Sequence, residues 1–518
     1  MVRVWLAVWV TILLVGCTPP PPPPTPVPPT AQLLPTVAPT AAVTLAPTAY
    51  PPPLPTPGPI VTRTPYPPPP PTTLPTASPR PPTGAALPPG PVLFYGRMDG
   101  TLWAARADGT DSRYLLGPPL VNDMTRWSAA PDGRSLAVLV VEAGTTPFAR
   151  SHAVALWWVS TQGEARKVLD LLPPGFSSDQ AETAEGALLV RAVAGNTLPW
   201  SPDSRRVAVV SAHEGQPQVY SVEVATSQAT RVSDGPLFKV VSDWSPDAQW
   251  LVYHEDNGSD TLTALNNGLF MARADGSAQT VAIQKDDRLA GTNEKAMVGS
   301  YGWLTADTLV VTTRREAGGA EVRLVTTAGQ QKTVFSGLHD SVYLNPARRR
   351  LVITCAPSQG GTDAPGCFGP DAKPGMWVYN ADEDKLNQIA TQPVLLASWA
   401  PGVEPALVYY AAPATAVEAH LRSGGQDRVL GPVSVQPPLT RPVWSPDGKR
   451  LALGNQVLTT DGQSATTYTD RGVSPLAWSA AGLLYQLMTP NTRELYLWDG
   501  NTSRRLLDNI WGVRLVTP

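Results

Sequence analysis

From residue 91 onward the hydrophobic positions fall in short runs separated by turn residues, and no long stretch repeats at helical spacing. That pattern predicts strands. One unit recurs: an apolar run ending in Trp, a Ser-Pro-Asp-Gly-like turn, and a second apolar run. Its clearest copies are Trp200 to Val209, Trp244 to Tyr253 and Trp444 to Leu453, with a stretched copy from Trp127 through Pro131-Asp132-Gly133 to Val138. Degenerate copies begin at Trp303, Tyr343, Trp399 and Trp478. Pro presets φ for the turn, Asp accepts backbone N–H groups across it, and Gly or a small residue tolerates the positive φ that closes it. Each unit therefore predicts a hairpin.

Further strand and turn pairs follow each unit, such as Ala155 to Val159, then Ser160-Thr161-Gln162-Gly163, then Arg166 to Leu169. Two of these outer hairpins, Leu102 to Thr110 and Leu269 to Ser277, are nearly the same sequence and point to duplication. Successive Trp anchors lie roughly 35 to 75 residues apart, bracketing the approximately 40 to 50 residues of a four-stranded propeller blade.

The Trp-Ser-Pro-Asp-Gly-Lys-Arg-Leu-Ala pattern resembles the repeat of TolB-like (WD40-like) β-propellers, also found in the propellers of prolyl oligopeptidase and dipeptidyl peptidase relatives. The resemblance covers about residues 91 to 518 and implies an all-β propeller. It also implies structural roles for Trp127, Trp200, Trp244 and Trp444 between blades, and for Asp132, Asp203, Asp247 and Asp447 in the turns. Propellers host binding, scaffolding and catalysis alike, so the motif specifies fold rather than function. Eight anchors, plus an unanchored set of strands from Val92 to Leu116, tally to nine units; with one degenerate unit expected not to form an independent blade, eight blades are favoured, and seven or nine are also allowed. Ile510 to Val516 is a candidate inner strand for that first set, closing the ring by joining the two ends of the domain.

The N-terminal region reads differently. Met1-Val2-Arg3 is a basic start, Val4 to Leu13 an apolar run too short to span a membrane, and Leu14-Val15-Gly16-Cys17 resembles a bacterial lipoprotein cleavage box. Residues 1–16 are thus expected to be a signal peptide, with Cys17 carrying the lipid. Several acyl chains, at about 0.8 kcal/mol per buried CH₂, hold a protein on a membrane more firmly than one. Residues 17–90 are dominated by Pro, Thr, Ala, Val and Leu, a composition that cannot build a core, and are expected to form a disordered stalk. In polyproline II, at about 3.1 Å per residue, its reach is on the order of 200 Å.

Charge and cysteine content narrow the partners. With 39 Lys and Arg against 42 Asp and Glu, the formal net charge is −3 and no basic stripe appears, which argues against nucleic acid. Of the three cysteines, Cys355 and Cys367 flank a Gly- and Pro-containing insertion. A disulfide there suits an oxidising compartment and would stabilise by about 3 kcal/mol; two free thiols are the alternative. The five histidines, His152, His213, His254, His339 and His420, are scattered, and neither a Gly-x-Ser-x-Gly elbow nor a His-Glu-x-x-His motif occurs. The run His254 to Asp260 is a weak candidate for Ca²⁺, more simply read as a polar loop. Asp382 to Lys385 reads as a solvated turn. No catalytic residue, cofactor or metal is indicated. The expectation is a monomeric, lipid-anchored, extracytoplasmic propeller that binds a protein, peptide or glycan. The alternatives are a glycan hydrolase or lyase acting at the channel mouth, and a component of a TolB-like envelope complex.

Overall fold

The structure is a computed structural model. Its described residues are Leu87, Gly90 and 91–517, less 119, 122–124, 142–152, 257–267, 285–296, 315–319, 346, 348, 357–366, 368–371, 402–405, 413–416, 433–440, 462–464, 470–472 and 489–492. The signal peptide, Cys17, nearly all of the expected stalk, and His152 therefore lie outside them.

Among the described residues the strands form nine antiparallel sheets, eight with four strands and one with three. Blade 1 spans residues 92–116 and takes its fourth strand from Ile510–Val516; blades 2 to 9 span 126–170, 200–231, 238–283, 297–336, 341–390, 394–432, 443–467 and 473–507. The closing strand pairs antiparallel with Val92–Arg97, from Val92 opposite Val516 to Arg97 opposite Ile510. Nine is the upper end of the range read from the sequence. Every degenerate anchor begins an independent sheet, and the unanchored first set becomes a full blade once the closing strand joins it.

Nine apolar clusters hold the sheets together, each straddling two neighbouring blades. One joins Leu93, Tyr95 and Ala105 of blade 1 to Leu484, Leu495 and Leu497 of blade 9, which closes the ring. The fold is a β-propeller. A second strand such as Ser135–Val141 is buried at every position, because both of its faces meet a neighbouring blade. Outermost strands such as Gln331–Ser336 are largely exposed.

The anchor turns form as their residues dictate. Ser201, Ser245 and Ser445 each donate a hydroxyl to the Asp two positions on, at 2.5 Å in every case. Each of those hydroxyls also accepts the N–H five residues ahead, at 2.8 to 2.9 Å. The closing position has positive φ in all four clear copies, at Gly133, Ser204, Ala248 and Gly448. The two near-identical outer hairpins also match in structure: Asp108 accepts the N–H of Thr110 and Asp275 that of Ser277, both at 2.9 Å, with Gly109 and Gly276 at positive φ.

Two helices interrupt the all-β pattern between blades 2 and 3. Helix α1 (Ser178–Glu182) starts at a Ser177 and Gln180 capping box, and α2 (Ala184–Ala194) is capped by Thr183. Ala181, Val190, Val193 and Ala194 bury into the cluster between those blades. The helices occupy the approach to blade 3, whose innermost strand shrinks to a single bridge between Trp200 and Val207. The Asn196 carboxamide takes over part of its role, accepting from the Val210 N–H at 2.6 Å and donating to the Val210 carbonyl at 2.8 Å.

Candidate functional site

The chain crosses from the outer strand of blade 3 to the inner strand of blade 4 through residues 232–237, and a dense polar network fixes that crossover. Lys239, at the start of the inner strand Phe238–Trp244, is fully buried as a side chain. Its ammonium donates to the carbonyls of Gly235 at 3.0 Å and Leu237 at 2.6 Å, and lies 3.7 Å from the Glu255 carboxylate. Two carbonyls thus accept from the ammonium and a carboxylate balances its charge, the company a buried ammonium requires. Burial pulls the Lys239 pKa below its ordinary value, with Glu255 opposing the shift. Arg231 braces the same loop, donating to the Ser233 carbonyl at 2.9 Å and Asp234 at 2.5 Å and pairing with Glu214 at 3.4 Å. Gln218 completes the brace through the Gly235 carbonyl and the Ser233 hydroxyl.

Next to Glu214, His213 packs its ring on Tyr220 with centroids 4.5 Å apart and places Nδ1 2.8 Å from the Ser211 hydroxyl. Burial holds the His213 imidazole below its usual pKa and pushes the Tyr220 phenol above the normal range. Ser211 is fully buried and also donates to the Leu171 carbonyl, so this hydroxyl and imidazole serve packing. These side chains are bound up in the fold rather than presented to solvent.

Beside them lies a hollow of about 130 Å³ between α2 and blade 4, lined by Leu188, Arg191, Thr197, Phe238 and Val240 among others. Leu188 and Val240 are 39% and 40% exposed, two of the few large apolar side chains left open to solvent. Sequence patterning did not single out these residues. The available signals were Ser-x-x-Gln at position 177 and the helix-favouring run from Ala184 to Ala194, which sit in a stretch otherwise read as strands and turns.

The residues expected from the sequence fall elsewhere. Trp200, Trp244 and Trp478 are buried between blades, whereas Trp127, Trp399 and Trp444 are half-buried. Asp132, Asp203, Asp247 and Asp447 sit in their anchor turns, each accepting the N–H two residues ahead at 3.0 to 3.2 Å. The turn Asp382 to Lys385 reaches the preceding blade: Asp384 pairs with Lys332 of blade 5 and accepts from Tyr379 of its own blade, where Asp382 also lies 3.4 Å from Arg349. Cys355 and Cys367 form a disulfide, with Cα atoms 5.3 Å apart, and the Asp340 carboxylate accepts the N–H groups of Ala356 and Cys367 at 2.6 Å each. His254 and Glu255 end the second strand of blade 4; the rest of that candidate cation loop, from residue 257, lies outside the described residues. Among the described residues no group of three or more His, Cys, Asp or Glu is placed to hold a metal ion, and no helix is long and apolar enough to cross a membrane.

No protein-family model matches the sequence, and no curated protein resembles it. Solved structures do. A eukaryotic initiation factor matches 82% of this chain and 98% of its own at 13% identity and a TM-score of 0.46. A prolyl endopeptidase matches 76% of this chain at 12% identity and a TM-score of 0.39, and the chain spans 50% of that protein's length. A putative TolB from Agrobacterium tumefaciens matches 48% of this chain and 88% of its own at 14% identity and a TM-score of 0.27. At such distances these likenesses bring no activity with them. The architecture rests on the strand pairing and the closed ring of clusters.

Proposed function

We propose that this chain is a lipid-anchored protein on the extracytoplasmic face of a bacterial membrane, and that its propeller is a non-catalytic module binding a protein, peptide or glycan. The observation that carries the binding reading is the open apolar pair Leu188 and Val240 at the hollow beside α2. Its volume of about 130 Å³ falls below the roughly 300–1,000 Å³ of small-molecule pockets but suits one inserted side chain. Interfaces concentrate their energy at such anchor pockets. A protein or peptide is therefore the favoured ligand among the three. The titratable groups near it support this reading, because Lys239, Arg231 and His213 are already engaged with groups of the fold. The anchoring reading rests on the sequence around Cys17.

Two experiments test the halves separately. Cys17→Ser is expected to leave the detergent phase on fractionation; partitioning equal to wild type removes the lipid anchor. In a pull-down from native membranes, Leu188→Glu is expected to lose a partner that wild type retains. Equal retention by both proteins removes the hollow as the binding surface.

A further inference from the structure

On the face opposite that crossover, where the anchor turns lie, blades 7 and 8 part to leave a cleft of about 720 Å³. Trp444 and Leu421 supply apolar wall, and Gln426, Arg428 and Asp447 supply polar rim. Three observations set this interface apart.

The first is a missing bond. In four other blade pairs the anchor indole donates to a carbonyl of the preceding inner segment: Trp200 to Ser128, Trp244 to Pro199, Trp399 to Tyr343 and Trp478 to Val443. Trp444 Nε1 is buried and makes no such bond, although it lies beside a cleft; Trp303 Nε1 is likewise unbonded, but its residue is only 3% exposed. The second is thin packing. The cluster between blades 7 and 8 holds six buried residues, the fewest of the nine among the described residues. Blade 8 contributes an inner strand of only two residues, Val443–Trp444, shorter than in any blade but blade 3, where Asn196 stands in for the missing strand.

The third is the state of the polar groups. At the crossover of blades 3 and 4 they are tied to the fold. In the cleft, Arg428 uses one N–H, to the Asp461 carbonyl at 2.7 Å, and its other donors are not engaged. Among the described residues the Gln426 carboxamide finds no partner, and Asp447 engages Oδ1 with Ser445 and the Lys449 N–H, leaving Oδ2. Donors and acceptors thus line the same cleft as an indole.

A ligand that answers this set must donate and accept at closely spaced points and present an apolar face. A pyranose does both, since its hydroxyls serve either role and its C–H face packs on an aromatic ring. The volume of about 720 Å³ lies within the roughly 300–1,000 Å³ typical of small-molecule sites, enough for more than one ring. Arg428 is flanked by Asp447 and Asp461, so the lining carries no excess of positive charge to select an acidic sugar. We propose that the cleft between blades 7 and 8 binds a short neutral saccharide, with Trp444 as its aromatic wall and Gln426, Arg428 and Asp447 bonding its hydroxyls. This site is independent of the hollow beside α2.

The test is an array of neutral and uronate oligosaccharides probed with the full-length protein, followed by titration calorimetry with the best neutral trisaccharide. Wild type is expected to bind neutral glycans. Gln426→Ala combined with Arg428→Ala, both at exposed positions, is expected to weaken binding by about tenfold or more, the loss of one to two polar contacts. Leu188→Glu should leave the affinity unchanged, and the melting temperature of each variant separates lost binding from lost folding. Trp444→Phe, which keeps an aromatic wall, should weaken binding less than Trp444→Leu. No neutral glycan bound, binding confined to uronates, or affinity intact in the double variant would each overturn the assignment.

Discussion

The indole N–H of Trp244 donates to the backbone carbonyl of Pro199, 2.9 Å away across the interface between blades 4 and 3. The same indole lies under the guanidinium of Arg206 from blade 3, 5.3 Å from its ring centroid, and Arg450 of blade 8 sits 4.6 Å over Trp478 of blade 9 in the same way. The repeat motif therefore encodes an interface as well as a turn. Its Trp reaches back to the preceding blade, and its Arg reaches forward to the next Trp. Each contact is modest alone, with a cation over an aromatic ring worth about 0.5–2 kcal/mol depending on desolvation.

Trp244 and Trp444 should consequently respond differently to substitution. Trp244→Ala is expected to cost about 3–5 kcal/mol through a buried cavity, and Trp244→Phe about 1 kcal/mol because one hydrogen bond is lost while the Pro199 carbonyl keeps the Ala208 N–H at 2.9 Å. Trp444 is half-buried and its N–H has no acceptor to lose, so both equivalent changes there should cost less. Denaturant midpoints of the four variants give the order. Equal costs at the two positions would show that the indole bond contributes nothing to the interface.

Asn196 stands in for missing strand backbone, so its carboxamide should resist even close replacement. It is 5% exposed and bonds to Val193 and to both backbone groups of Val210. Asn196→Ala is expected to cost about 2–4 kcal/mol by leaving buried backbone groups unpaired. Asn196→Asp should cost more, because a carboxylate faces the Val193 and Val210 carbonyls with nothing to donate. Urea unfolding of the two variants checks the ranking, and an Asp variant as stable as wild type would contradict it.

What was legible in the sequence follows from where the constraint is local. The Ser-Pro-Asp-Gly turn is satisfied within six residues, so Ser445, Asp447 and Gly448 announce it wherever the fold places them. The closing strand was legible for a different reason: Val92 to Leu116 lacked an inner partner, and Ile510 to Val516 had no other sheet to join. Blade count was harder, because Tyr343 and Trp399 carry the anchor role without the Pro-Asp-Gly turn that marks it elsewhere. The hollow and the cleft were not legible at all. Leu188 and Val240 line one hollow, and Trp444 and Arg428 one cleft, only because tertiary packing brings distant segments together, and no local pattern records which interface is incomplete.

His213 should give the protein an acid-side sensitivity. Burial holds its folded pKa below the ordinary value, so the unfolded chain takes up the proton first as pH falls through about 6.5. Stability from the neutral ring is thus present above that pH and declines below it. His213→Asn keeps a polar partner for Ser211 but does not titrate. Melting temperatures between about pH 7.5 and about pH 5.5 should fall more steeply for wild type than for the variant. A steeper fall in the variant would reverse the sign and place a charged imidazole in the folded state.

The proposal that the open apolar pair beside α2 receives a partner side chain is tested most directly by contact. A photo-crosslinking residue placed at Val240 in the full-length protein, activated in intact native membranes, reports what lies against the hollow. The same probe at Met98, a 65% exposed residue of blade 1, serves as the control. The expected result is a discrete crosslinked species from position 240 that is absent from position 98 and is lost when Leu188→Glu is added. The same species from both positions, or one from position 240 that persists with Leu188→Glu, would contradict a specific docking site there.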